Sequence, residues 1–171
     1  MNAAFCRYEV RARPSLPILM HRFAKAGQYW WQKPLVLVAS RPMPAELAIL
    51  AEELRPGESG VWLNSRGRTS GVVELLPWTA KNGPTFRTRR APLPLFVAAG
   101  LEDLYRAAGV AKGCPDLVIW RTEPESFRLV EVKCPRWDRP SAEQEQFIAA
   151  ARERGIEARI VEWEFEDDTA A

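Results

Sequence analysis

Two short apolar runs separated by a polar turn constrain this chain most, because both carry charged chemistry at the same end. The first strand-like run, Asp116 to Trp120, comes after Gly113-Cys114-Pro115; the turn is Thr122 to Ser126; the second run, Phe127 to Lys133, closes with Glu131-Val132-Lys133. Runs this close together predict a hairpin, in which Asp116 at the mouth of one strand reaches the end of the next. Side chains alternate along a strand, so Leu129, Glu131 and Lys133 share one side while Val130 and Val132 pack into the other. Pro115 supplies no ladder donor and suits the entry to a strand.

The segment after the hairpin sets the fold class. A loop from Cys134 to Pro140 leads to a helix from Ser141 to Arg154, a glycine at 155 and a strand from Glu157 to Phe165, so a helix crosses back to a further strand as in α/β units. Upstream, Leu35 to Ala39 is a short buried strand by composition, and Met43, Leu47, Leu50 and Leu54 form one helical stripe. Glu46 and Glu53 flank that stripe, whereas Glu52 points away. Val61 to Leu63 and Gly71 to Leu76 read as strands joined by the turn-rich Asn64 to Arg68, Lys81 to Arg90 as a basic loop without periodicity, and Phe96 to Ala108 as a helix. The first 34 residues are the least patterned: a strand at Phe5 to Arg11, breaks at Pro14 and Pro17, and a helical stretch from Ile18 to Lys25 that carries His21. Tyr29-Trp30-Trp31 reads as core or interface packing, because no basic residue interleaves with the rings.

Several kinds of chemistry lack material here. The single histidine leaves no paired imidazoles, and three cysteines, Cys6, Cys114 and Cys134, are odd in number and lack Cys-x-x-Cys spacing. No apolar run is longer than Leu35 to Ala39, against the roughly 20 residues of a membrane span. With no secretory pattern at the N-terminus either, the expectation is an intracellular, cytoplasmic protein without a membrane partner. The net charge is +2, but residues 1 to 90 hold 14 Lys+Arg against 6 Asp+Glu and residues 91 to 171 hold 10 against 16. That asymmetry suits a basic surface meeting nucleic-acid phosphates beside an acidic metal site, or an acidic tail from Glu162 to Asp168 that merely tilts the count.

The chemistry must therefore come from carboxylates and lysine. Two carboxylates, Asp116 and Glu131, with the backbone carbonyl of Val132 make the hard oxygen-rich site that Mg²⁺ accepts, and Lys133 would hold an attacking water or stabilise developing negative charge. Glu-x-Lys taken alone reads as a solvent-facing ion pair on an edge strand, and it is Pro115-Asp116 on the preceding strand that turns the reading towards a site. On the next helix Gln144 shares a face with Phe147, Ile148 and Ala151 and needs a polar partner. It serves either that site or a capping box with Ser141.

Gly113-x-Pro115-Asp116, Glu131-Val132-Lys133, Pro135, Ser141-x-x-Gln144 and Gly155 together resemble the VRR-NUC family, the virus-type replication-repair nuclease branch of the PD-(D/E)XK superfamily. The clear match covers residues 109 to 165, and Cys134 stands where the family usually has glycine. The resemblance implies a restriction-endonuclease-like core, a central mixed sheet flanked by helices, over residues 41 to 168, with an N-terminal extension over 1 to 40. It implies an endonuclease using Mg²⁺ or Mn²⁺ on branched or structured DNA in repair, recombination or phage replication. Asp116 and Glu131 are then metal ligands, Lys133 the catalytic lysine, Gln144 its helical support, and Glu46 or Glu53 the upstream acid. It also implies a homodimer. Arg66, Arg68, Lys81, Arg87, Arg89 and Arg90 are candidates for phosphate contacts, which position a duplex without reading its sequence. The competing reading is a non-catalytic nucleic-acid-binding protein on the same fold, part of a phage or mobile-element complex.

Overall fold

The computed structural model describes residues 20–30, 33–63, 68–80 and 83–166. In chain order these form β1 (Met20–Trp30), β2 (Lys33–Val38), β3 (Arg41–Met43), α1 (Ala45–Glu53), β4 (Ser59–Trp62), β5 (Ser70–Ala80), β6 (Gly83–Pro92), α2 (Leu95–Ala108), β7 (Leu117–Thr122), β8 (Glu125–Lys133), α3 (Ala142–Glu153) and β9 (Ala158–Phe165). The strands make one mixed sheet in the order β3-β2-β1-β9-β8-β7-β4-β5-β6. β9 is parallel to both β8 and β1, and the other pairings are antiparallel. Parallel β8 and β9 are joined by a crossover through α3, the solution that parallel neighbours require. Within the N-terminal extension expected over residues 1 to 40, β1 and β2 join this same sheet.

Strand alternation divides the interior in two. Leu117, Ile119, Val130 and Val132 face α1, whose Ala45, Leu47, Ala48, Ile49 and Leu50 are buried against them. Val118, Trp120 and Leu129 face α2 and α3 through Val97, Leu101, Leu104, Phe147 and Ile148. Each Val, Leu, Ile or Phe so buried contributes about 1.5–3 kcal/mol, which explains why the hairpin strands read as continuous apolar runs. Arg41 on edge strand β3 reaches Glu74 on β5 at 3.2 Å, although β3 and β5 lie near opposite ends of the sheet order. The sheet therefore curls around α1. No helix among the described residues is long and apolar enough to cross a membrane.

Two expected elements are corrected. The stretch read as a helix from Ile18 to Lys25 is, from Met20 onward, strand β1, and His21 stands on it. Its pairing with β9 (Met20↔Glu162 to Phe23↔Phe165) and with β2 outweighs a short helical pattern that is unstable alone. Lys81 to Arg90 is not a loop: from Gly83 it is β6, paired with β5 from Ser70↔Pro92 to Ala80↔Gly83. Its basic side chains are held across the ladder, Arg89 by Glu74 at 2.9 Å and Arg87 stacked over the Trp78 ring. The expected strand at Phe5 to Arg11 lies outside the described residues, as does most of the Asn64 to Arg68 turn.

Candidate active site at the carboxyl end of β8

The β7–β8 register ends at Leu117↔Val130, which sets Asp116 against Glu131 one step on. Pro115 has no N–H, so the ladder stops there and side chains take over its bonds. The N–H of Val132 donates to Asp116 Oδ2 (3.1 Å), the N–H of Asp116 donates to Glu131 Oε2 (3.3 Å), and the N–H of Leu63 donates to the Asp116 carbonyl (2.7 Å). Glu131 is fully buried. Its Oε1 accepts from Gln144 Nε2 at 2.5 Å and pairs with Lys133 Nζ at 2.8 Å. Such charge-assisted bonds are what make a buried carboxylate tolerable.

Gln144 fills both roles open to it. Its Oε1 accepts from the Ser141 N–H (2.9 Å), the Ser141 hydroxyl accepts from the Gln144 N–H (3.3 Å), and its Nε2 is left to reach Glu131. The capping box thus fixes the rotamer that aims the amide at the carboxylate. Gly113 seats the same turn from the other side: it has φ +101°, and a Cβ there would lie 2.6 Å from the Glu143 carbonyl carbon and 2.9 Å from the Gln144 nitrogen. Only glycine lets the loop before Asp116 press on the first turn of α3.

The two candidate upstream acids go to different places. Glu53 is buried with Arg128, whose Nη1 lies 2.9 Å from Glu53 Oε2, and also pairs with Arg159. Glu46, at the other end of α1, has its Oε1 2.7 Å from Lys33 Nζ, and its charge acts on Asp116. Burial, then the charges of Glu131 and Glu46, push the Asp116 carboxyl well above its usual range, outweighing Lys33. Glu131 is raised by burial in spite of Lys133. Burial alone would lower Lys133, but Glu131 and Asp138, 3.1 Å from its ammonium, raise it and keep it charged.

A buried carboxylate whose proton affinity is raised by its acidic neighbours, as Asp116 is by Glu131 and Glu46, marks a site short of positive charge. Among the described residues no three His, Cys, Asp or Glu side chains converge to hold an ion by themselves. Asp116 and Glu131 still fit a magnesium-type ion, which takes one or two carboxylates and fills its remaining positions with waters and substrate oxygens.

Among the described residues, the predicted phosphate contacts are not brought to the carboxylates. Arg66 and Lys81 lie outside the described residues. Arg68 donates to the Ala111 carbonyl (2.7 Å) and stacks on Tyr105 at 4.0 Å, with its side chain still partly exposed. Arg87, Arg89 and Arg90 run along edge strand β6, where Arg90 donates to the Ser70 hydroxyl at 3.1 Å. Sequence reasoning misses Lys33 and Asp138, which line a cavity with Glu46 and Val132. Asp138 carries a signal, standing five residues after Lys133; Lys33 carries none beyond its place before Pro34.

The sequence model of the VRR-NUC domain matches residues 61–163 of this chain, well over half of it. The chain belongs to the VRR-NUC family. The match extends the resemblance seen over 109 to 165 upstream to β4 and leaves Glu46 outside it. The architecture is the expected central mixed sheet flanked by helices, with Asp116 immediately before β7 and the Glu131-x-Lys133 pair on the adjacent strand β8. Among solved structures, paFAN1 bound to 2nt 5′ flap DNA with gap is similar at a TM-score of 0.46 and 16% identity. That likeness covers 94% of this chain and 40% of the other. No curated protein matches the chain.

Proposed function

We propose that this VRR-NUC protein is a DNA endonuclease that uses Mg²⁺ or Mn²⁺ to hydrolyse phosphodiester bonds, on branched or structured DNA in repair, recombination or phage replication. The observation that carries the reading is the meeting of Asp116 and Glu131 across the β7–β8 hairpin, with Lys133 and Gln144 both on Glu131. A lone surface ion pair has no need of a second buried carboxylate or of an amide aimed from a capped helix.

In this reading Asp116, Glu131 and the Val132 carbonyl hold the metal, and Glu46 is the upstream acid. The bound ion would polarise the scissile phosphate and acidify a water. Lys133, kept protonated, steadies that water and offsets charge gathering on the phosphate oxygens. Gln144 holds Glu131 in one orientation, so the carboxylate need not reorganise. Lys33 neutralises Glu46 and stands ready for a substrate phosphate. Arg87, Arg89 and Arg90, with Arg66, Arg68 and Lys81, position the duplex, and two copies act as a pair.

The test is incubation with labelled linear duplex, flap and four-way junction DNA in Mg²⁺, Mn²⁺ or EDTA. The reading expects cut flap or junction with either metal and none in EDTA. Binding without products under both metals would replace it with a non-catalytic nucleic-acid-binding protein.

A further inference from the structure

Beside the carboxylates lies a cavity of about 580 Å³, bounded by Lys33, Glu46, Val132 and Asp138. A second cavity, about 400 Å³, shares Pro34 and Trp137 with it and extends to Lys25, Tyr29 and Arg136. Trp137 is therefore the partition between them. One side of its indole is anchored against Trp163 (5.7 Å between ring centroids, 82°) and Phe165 (6.1 Å, 38°), yet 54% of the residue is exposed. Tyr29 is 70% exposed. Trp30, by contrast, packs edge-on to Trp62 in the core.

The backbone is shaped at the same place. Ala26, Gly27 and Gln28 of β1 stand opposite Leu35 alone, a bulge that shifts the register before Tyr29. Gly27 takes φ +66°, and a Cβ built on it meets nothing within 4 Å. The bulge leaves open space before the backbone where the aromatic wall stands.

Open aromatic faces with cations beside them, Lys25 and Arg136 here, are what single-stranded nucleic acid requires: rings for its bases and positive charge for its phosphates. A duplex keeps its base faces stacked and cannot use such a wall. An apolar protein partner would not be matched by a cationic rim. The smaller cavity is within the size range of small-ligand sites. We propose that it receives an unpaired nucleotide of single-stranded DNA, its base stacked on Trp137 and its phosphates beside Lys25 and Arg136, one cavity from the carboxylates. This rests on the nuclease reading and narrows it to DNA with a single-stranded segment next to the cut.

The full chain is tested in EDTA, so that binding is read without cleavage. Fluorescence anisotropy with labelled oligo-dT, a flap and a blunt duplex is compared for the parent, Trp137→Ala, Trp137→Phe and Tyr29→Ser. Loss of one base stack corresponds to about 5- to 150-fold, expected for Trp137→Ala on oligo-dT and flap, with blunt duplex unchanged and Trp137→Phe largely restored. Tyr29→Ser, on a largely exposed side chain, weakens oligo-dT binding in the same direction whether or not Trp137→Ala folds. A 2-aminopurine in the oligonucleotide is quenched by the parent and not by Trp137→Ala. Equal binding of oligo-dT by all four proteins overturns the assignment, as does failure to bind any of the three DNAs. A dimer that Trp137→Ala dissociates, with DNA binding unaltered, would also overturn it by giving the wall to a second copy. Binding that depends on Trp137 without cleavage in Mg²⁺ removes the nuclease reading and leaves the nucleotide site standing.

Discussion

Replacing Gln144 with alanine removes two bonds of different kinds at once, and their sizes can be separated. The first is the return half of the capping box, Gln144 Oε1 to the Ser141 N–H at 2.9 Å. The second is the 2.5 Å bond from its amide to Glu131, a carboxylate with no exposed surface. A cap is worth about 1 kcal/mol and a hydrogen bond to a buried charge about 1.5–3 kcal/mol, so Gln144→Ala should cost about 2–4 kcal/mol. Ser141→Ala removes only cap bonding and should cost about 1 kcal/mol. Urea unfolding of both variants gives the difference, and calorimetric titration with Mg²⁺ shows whether the loosened Glu131 binds more weakly. If Gln144→Ala costs no more than Ser141→Ala and binds Mg²⁺ as tightly, the amide does not organise the site and the reasoning fails.

Gly113→Ala combines a left-handed φ of +101° with a 2.6 Å approach to the Glu143 carbonyl carbon, and should destabilise by about 1–3 kcal/mol in the same urea assay. Arg128→Ala takes a guanidinium from Glu53 and Glu58, whose side chains are 6% and 9% exposed, leaving Glu53 to Arg159 and Glu58 to the Arg55 N–H, and should cost about 1.5–3 kcal/mol by thermal or urea unfolding. Glu58 also sets a pH dependence. Burial pushes its carboxyl up, but bonds from Arg128 and the Arg55 N–H outweigh that and hold it below its usual 4.5. Its contribution is therefore complete above pH 4.5 and is lost as pH falls through the lower folded value, so urea midpoints should drop over that window in the parent and less in Glu58→Gln.

How far the sequence is legible depends on the range of the interactions involved. The hairpin from Asp116 to Lys133, the helix after Ser141 and the closing strand are written in local alternation, a cap and turn residues, and all three stand where expected. Strand β1 escapes a sequence reading because its first residues are held as a strand by β9, more than a hundred residues later in the chain, and only its later part by β2. Strand β6 escapes it because its charges mask a pattern that becomes visible only opposite Glu74 and Trp78; Asn82-Gly83 is the hairpin signal available. Helical spacing does not separate Glu46 from Glu53, since what distinguishes them is Lys33 on β2 and Arg128 on β8, 75 residues from Glu53. No basic residue adjoins Tyr29 in the sequence; Lys25 comes to the same cavity from before the bulge and Arg136 from the loop after β8.

The central claim is that Asp116 holds a metal and Lys133 acts beside it. Mg²⁺ titration and single-turnover cleavage of a labelled flap, measured together on the parent, Asp116→Ala and Lys133→Ala, test it most directly. The account predicts that Asp116→Ala loses both metal binding and cleavage, while Lys133→Ala keeps metal binding and loses cleavage. Undiminished cleavage by either variant, or cleavage by the parent that persists in EDTA, would contradict it.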